Sequence, residues 1–366
     1  MIEKLVRKVV LGLKPYQAGK PISQLKRERK ISQVIKLASN ENPLPPSERV
    51  IKVLKDSLTK VNLYPDSNGY YLRNGLAKKL KLKRGNIILG NGSSEIIAMA
   101  LETFVNPAEE IIIADPSFII YKGLIKLRDA VPVLIPLKDF SLDLSAMLKA
   151  INKRTKMIIL CNPNNPTGTI IKKEELKKFM KKVPENVIIL SDEAYLEYVE
   201  DKEFSSAFPY LKSKKPLIIT RTFAKSASLA GLRIGYGIAK GEIIEQMNKV
   251  RPPFNTSSLA QVAALAALND KEHLEKTRKN NREEKRYLYQ NLKNLRLSYI
   301  PTQTNFICFD LKRNAKLLCR RLEEEGVIIR NMSAFNLPNS FARVTIGTHQ
   351  ENMLFIKKLK KVLIKK

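Results

Sequence analysis

The chain of 366 residues has no tryptophan, two histidines and three cysteines. Cys161, Cys308 and Cys319 are too few and too scattered for a disulfide framework or a zinc site. His273 and His349 have no carboxylates near them at ligand spacing, so no metal centre is expected. Acidic residues are also scarce, 35 Asp and Glu against 66 Lys and Arg, for a net charge of +31. No apolar run approaches the roughly 18 residues of a membrane span. The N-terminal stretch MIEKLVRKVVLGLKP interleaves Lys4, Arg7 and Lys8 with apolar residues instead of segregating them, so it does not read as a secretory leader. A cytoplasmic location is the simplest expectation.

A basic chain attracts nucleic acid and anionic surfaces through its long-range field. Here the lysines are spread through amphipathic segments such as 76–83, 172–182 and 357–366, the pattern of solvated helix faces, and no nucleic-acid-binding signature accompanies them. A basic binding protein is therefore the weaker of two readings. In the N-terminal stretch, Ile2, Leu5, Val6, Val9, Val10 and Leu13 share one helical face, which predicts a helical packing arm.

From Asn86 onward, short apolar runs alternate with helical segments. They fall at 87–89, 111–114, 133–135, 157–160, 187–190 and 217–219. This alternation predicts an α/β fold, with a mostly parallel sheet covered by helices on both faces. The C-terminal part changes style, with strands near 305–309 and 343–346 and helices near 317–325 and 351–363, and reads as a smaller α+β domain. The expected division is an arm at 1–35 packing on the small domain, a large domain at 36–270 and the small domain at 271–366.

Ligands in such sheets bind beyond the carboxyl ends of the strands. Those ends carry Gly92-Ser93-Ser94, suited to an anion at a helix start, then Asp115-Pro116-Ser117-Phe118, Asn162 to Gly168, and Asp192-Glu193-Ala194-Tyr195. The last leads into TRTFAKSASLAGLRIGYG, residues 220–237. Lys225 lies there among small residues, with Arg221 and Arg233 close in sequence. Burial and neighbouring positive charge both disfavour an ammonium, which makes Lys225 a candidate Schiff-base nucleophile.

Taken together, KPYQAGKPI, SNENP, YPD, NNPTG, DEAY, the lysine stretch with GLRIG, and RVTIGT resemble the fold-type I, pyridoxal-phosphate-dependent aminotransferases. Within them they resemble the histidinol-phosphate aminotransferase subfamily. The resemblance implies pyridoxal 5'-phosphate as cofactor and Lys225 as the catalytic amine that carries it. It implies Asp192 at the ring nitrogen, Asn165 and Tyr195 at the phenolic oxygen, and Phe118 stacked on the ring. The phosphate would be held by Ser93, Ser94, Thr222 and Arg233, with Tyr64 reaching it from a second subunit of a homodimer. Arg343 would bind the substrate carboxylate or phosphate, with Arg330, Tyr16, Asn42 and Asn305 as further substrate contacts. The implied reaction is transamination between histidinol phosphate and 2-oxoglutarate. Threonine-phosphate decarboxylation and a broad aromatic transamination are the alternatives on the same scaffold. Ala224 departs from the usual pattern, which has serine there.

Overall fold

The computed structural model describes residues 2–13, 15, 19–29, 31 and 33–364. Its strands, in chain order, are β1 (Ile35–Lys36), β2 (Ile87–Gly90), β3 (Glu110–Asp115), β4 (Val131–Pro136), β5 (Thr155–Cys161) and β6 (Ile188–Asp192). They continue with β7 (Leu217–Thr222), β8 (Gly235–Ile238), β9 (Phe306–Asp310), β10 (Val327–Ile328), β11 (Arg330–Asn331) and β12 (Phe341–Thr345).

Seven strands form the main sheet in the order β2-β8-β7-β6-β5-β3-β4. Neighbours from β7 through β4 pair in parallel, whereas β8 runs antiparallel to both β2 and β7. Both faces are covered. Along β5, Ile158 and Leu160 belong to one core, with Phe179, Leu217 and Ala263. Met157, Ile159 and Cys161 belong to the other, with Ile97, Tyr121 and Met247. This two-sided burial explains why the strands read as unbroken apolar runs.

β8 lies where the sequence predicts no strand. Its residues, GYGI, lack the apolar run that marks the others, because the sheet needs small residues there. A Cβ on Gly237 would sit 2.8 Å from the side chains of Ile88 and Ile96. Glycine here serves close approach between strand and helix.

The C-terminal residues form an antiparallel sheet, β11-β12-β9, over a core of Leu288, Leu292, Ile307, Leu322, Phe355 and Leu359. The helix Lys271–Asn294 contributes the first two of these side chains. β1 pairs in parallel with β10, and Leu37 joins this same core, so residues 35–37 pack with the C-terminal part.

The N-terminal segment differs from the expected arm. Residues 2–13 hold a short 3-10 turn, Ile2–Lys4, and a four-residue helix, Lys8–Leu11, instead of one amphipathic helix. No side chain caps the second piece, and so short a helix has little stability of its own. Arg7 donates to the carbonyl of Leu127 and to Asp129, beside the main sheet. The helix Ile22–Arg29, by contrast, buries Leu25 against Ala38 and Ile328, with Lys20 paired to Glu323.

Candidate active site

The carboxyl ends of β3, β5, β6 and β7 and the turn after β2 open on one side of the sheet. There they meet Ser39 and Asn40 from the N-terminal part and Phe335 and Arg343 from the C-terminal part, around a cavity of about 190 Å³. Ten of the residues expected from the sequence line it: Ser93, Ser94, Phe118, Asn165, Asp192, Tyr195, Thr222, Lys225, Arg233 and Arg343.

One end of the cavity is built for an anion. The helix Ser93–Phe104 begins there with no side-chain cap, so no capping side chain takes up its first N–H groups. Gly92 has φ +78°, and a Cβ on it would lie 2.7 Å from Arg233 Nη2. Glycine thus allows both the turn and the seating of the Arg233 guanidinium over the helix start. Arg233 takes a left-handed φ of +55° and donates from Nη1 to the carbonyl of Ala230 at 3.1 Å. The Thr222 hydroxyl accepts from Ala224 N at 3.0 Å.

Lys225 also lines the cavity, and its Nζ donates to the carbonyls of Asn40 at 2.9 Å and Ser39 at 3.3 Å. Burial pushes its pKa down to about 7, helped by Arg343 and Arg233 and opposed by Glu41 and Asp192. The sequence places Arg221 among the causes; the structure does not. Arg221 binds Glu193 through Nε at 3.0 Å and Nη2 at 2.8 Å, and both are buried, so its charge is neutralised where it stands.

At the cavity floor Asp192 is 3 % exposed. Tyr121 donates to it at 2.6 Å, Thr220 Oγ1 at 3.2 Å and Ala194 N at 3.2 Å. Burial raises its pKa, and the Tyr121 bond works against that. Among the described residues no cation pairs with it. A buried carboxylate so placed suits a ligand that brings a protonated nitrogen. Phe118 lies edge-on to Tyr121, with centroids 5.5 Å apart. Arg343 Nη1 donates to Asn165 Oδ1 at 2.5 Å, and Nη2 to the carbonyl of Ala38 at 3.0 Å.

Other expected site residues lie elsewhere. Asn42 donates to the Ser226 carbonyl and to Thr277 Oγ1, both at 3.1 Å, and lines a different cleft. Asn305, 1 % exposed, donates to the carbonyls of Asn40 and Glu41 and lies behind the loop instead of in the cavity. Both amide nitrogens are spent on partners distant in sequence, Asn42 on Ser226 and Thr277 and Asn305 on the carbonyls of residues 40 and 41, so they brace the loop. Arg330 stands opposite Arg343 in the β11–β12 pairing yet lines a separate cleft with Lys20 and Arg320. Tyr64 is 83 % exposed, stacked on Phe254 at 4.6 Å, and outside the cavity of its own chain. Tyr16 lies outside the described residues. Two residues that sequence reasoning passes over are central here: Tyr121, and Asn40 within SNENP. The cue for Asn40 is residue type, since asparagine tolerates the positive φ it adopts.

The donor set therefore fits a molecule with a phosphate at one end, a basic ring nitrogen at the other and a carbonyl carbon near an amine. Comparison with known proteins agrees. Residues 32–359 match the family described as aminotransferase class I and II. A histidinol-phosphate aminotransferase of Caldicellulosiruptor saccharolyticus is 46% identical over 359 residues, covering 98% of this chain and 100% of the relative. That of Moorella thermoacetica is 45% identical over 358 residues, covering 98% and 92%. Among solved structures, the histidinol-phosphate aminotransferase of Clostridium acetobutylicum superposes with a TM-score of 0.83 at 29% identity, over 90% of this chain and 99% of the other. The Sinorhizobium meliloti enzyme, solved in complex with pyridoxal-5'-phosphate, shares the fold with a TM-score of 0.90 at 23% identity, over 98% and 97%. With relatives this similar along almost their whole length, and a family match over residues 32–359, the chain belongs to the class I and II aminotransferase family.

Proposed function

We propose that the protein is a pyridoxal-phosphate-dependent transaminase that moves an amino group from L-histidinol phosphate to 2-oxoglutarate. The products would be imidazole-acetol phosphate and L-glutamate, a step of histidine biosynthesis. One observation carries the chemistry: a lysine amine with a pKa of about 7 shares a cavity with a buried carboxylate and a helix start. The names of relatives 45% and 46% identical over 98% of the chain support the substrate.

The bound cofactor supplies an electron sink for the pair left at the substrate α-carbon when a proton is removed. Ser93, Ser94, Thr222 and Arg233 would hold its phosphate at the anion end. Asp192, kept from water, would accept from the ring N–H and so keep that nitrogen protonated. Asn165 and Tyr195 would bond to the phenolic oxygen, and Phe118 would cover one face of the ring.

Lys225 Nζ would take the proton from the substrate α-carbon and hold it for return. That role needs a neutral amine. An ordinary lysine at pH 7 is neutral in roughly one molecule in 3,000; burial, by lowering the Lys225 pKa to about 7, raises that fraction by orders of magnitude. Arg343 presents a planar fork to the 2-oxoglutarate carboxylate and to the phosphate of the amino donor. Arg330 and Tyr16 would meet that phosphate when the donor extends beyond the cavity.

A homodimer completes the site. Tyr64 would reach the cofactor phosphate of a second copy, and the exposed apolar residues near it, among them Val61, Leu63, Tyr71 and Phe254, offer the surface for that contact. A cytoplasmic location accords with three free, buried thiols.

The test is to supply purified protein, loaded with cofactor, with histidinol phosphate and 2-oxoglutarate and to measure glutamate. Absence of glutamate, with carbon dioxide released from threonine phosphate, would replace this reading by the decarboxylase.

A further inference from the structure

Asn40 has no part in the chemistry above, yet it touches both Lys225 and Tyr195. It is 2 % exposed and held at φ +55°. Its backbone N–H donates to Thr345 Oγ1 at 2.9 Å. Its carbonyl accepts from Lys225 Nζ at 2.9 Å and from Asn305 Nδ2 at 3.0 Å. Its side-chain Nδ2 donates to Tyr195 Oη at 2.9 Å.

The direction of that last bond follows from its surroundings. Thr345 Oγ1 already accepts from the Asn40 N–H, so its own hydrogen is available for Asn40 Oδ1, 3.5 Å away. The amide oxygen therefore faces Thr345 and the amide nitrogen faces Tyr195. A phenol that accepts from an amide must send its single hydrogen elsewhere, and the Tyr195 hydroxyl borders the cavity.

We propose that Asn40 is a positioning residue: its side chain turns the Tyr195 proton into the cavity, toward the phenolic oxygen of the cofactor, while its carbonyl holds the Lys225 amine. This inference rests on the transaminase reading. It also ties the site to the C-terminal part. Segment 38–41 is bonded to Thr345, Asn305 and Arg343, so the side of the molecule that carries Arg343 sets where Asn40 lies.

The consequence is readable by spectroscopy. A hydrogen bond donated to the phenolic oxygen stabilises its anionic form and weakens its hold on the proton at the neighbouring lysine nitrogen. The pKa seen in the visible absorbance of the cofactor-loaded protein is lowered as a result. Asn40→Asp keeps the shape of the side chain but accepts from Tyr195, which turns the phenol proton away from the cofactor. Asn40→Gly accommodates the positive φ, keeps the backbone carbonyl and removes the donor.

Each variant is titrated in the wild-type background and in Tyr195→Phe. We expect Asn40→Asp to raise the spectroscopic pKa by about one unit and Asn40→Gly by less. In Tyr195→Phe both shifts should shrink to less than half, because the group they act through is gone. The turnover number should fall, with KM for 2-oxoglutarate nearly unchanged. A carboxylate acting only through its charge, or a loop that is only loosened, would give equal shifts in the two backgrounds. Equal shifts, or none in either, overturn the proposal. Wild-type protein that takes up no cofactor would instead overturn the transaminase reading beneath it.

Discussion

Arg343 and Asn165, read from the sequence as a substrate residue and a cofactor residue, are bonded to each other at 2.5 Å inside the cavity. An incoming carboxylate would share the guanidinium with the Asn165 amide oxygen, so substrate binding and the hydrogen bonding of Asn165 are linked. Arg343→Gln should raise KM for 2-oxoglutarate about ten- to hundredfold, the loss of a charge-assisted hydrogen bond. Asn165→Ala removes a competitor for the arginine and should lower turnover without raising that KM. Steady-state kinetics of the two variants check the split; a large rise in KM for Asn165→Ala would count against it.

The Lys225 amine also affects stability when no cofactor is bound. Its folded-state pKa of about 7 lies below the ordinary 10.5. Between those values the unfolded chain binds more protons, so stability rises with pH across this window. Below about pH 7 both states are protonated and the cost of burying the ammonium is at its full size. Lys225→Met should therefore be more stable than the wild type at pH 6, by on the order of a few kcal/mol. The difference should shrink as the pH approaches 10. Urea unfolding of the cofactor-free proteins at several pH values measures it, and a difference independent of pH would refute the assignment.

The strand ends that carry Asp192, Asn165 and Lys225 are legible in the sequence because a buried parallel strand writes itself as an apolar run ending in polar residues. β8 is not, since GYGI trades side chains for close packing. Arg221 misleads for a related reason. Four positions from Lys225 in sequence, it lines a different cavity, with Phe223 and Tyr236. The roles of Asn40 and Tyr121 are not legible because their partners, Tyr195 and Asp192, lie 155 and 71 positions away. Only the folded chain brings such pairs together. The N-terminal stretch reads as an amphipathic helix from its periodicity, but periodicity without packing is not enough to form one.

Tyr64 gives a test of the proposed homodimer with shared sites. Tyr64→Ala and Lys225→Ala should each have little activity alone. Unfolded and refolded together in equal amounts, they should recover activity at about one quarter of the sites, because half the dimers are mixed and each mixed dimer carries one site with neither change. Absence of recovery, with mixed dimers demonstrated by mass spectrometry, would mean that Tyr64 serves its own chain.

Glu193, next to Asp192 in the sequence, has a different role. Its side chain is fully buried and accepts from Arg221 twice, from Ser206 Oγ at 2.7 and 2.8 Å, and from Ala207 N at 2.8 Å. The Arg221 guanidinium also lies over the Phe208 ring at 5.6 Å. Burying two charges gains little by itself, but removing one leaves the other uncompensated. Glu193→Gln keeps the shape and removes the charge, and should cost about 3 kcal/mol. Arg221→Met made in that background should recover part of the loss, because no buried charge then remains. Urea midpoints of the single and double variants decide it. If Arg221→Met is as damaging beside Glu193→Gln as in the wild type, the pair is held by packing and not by charge.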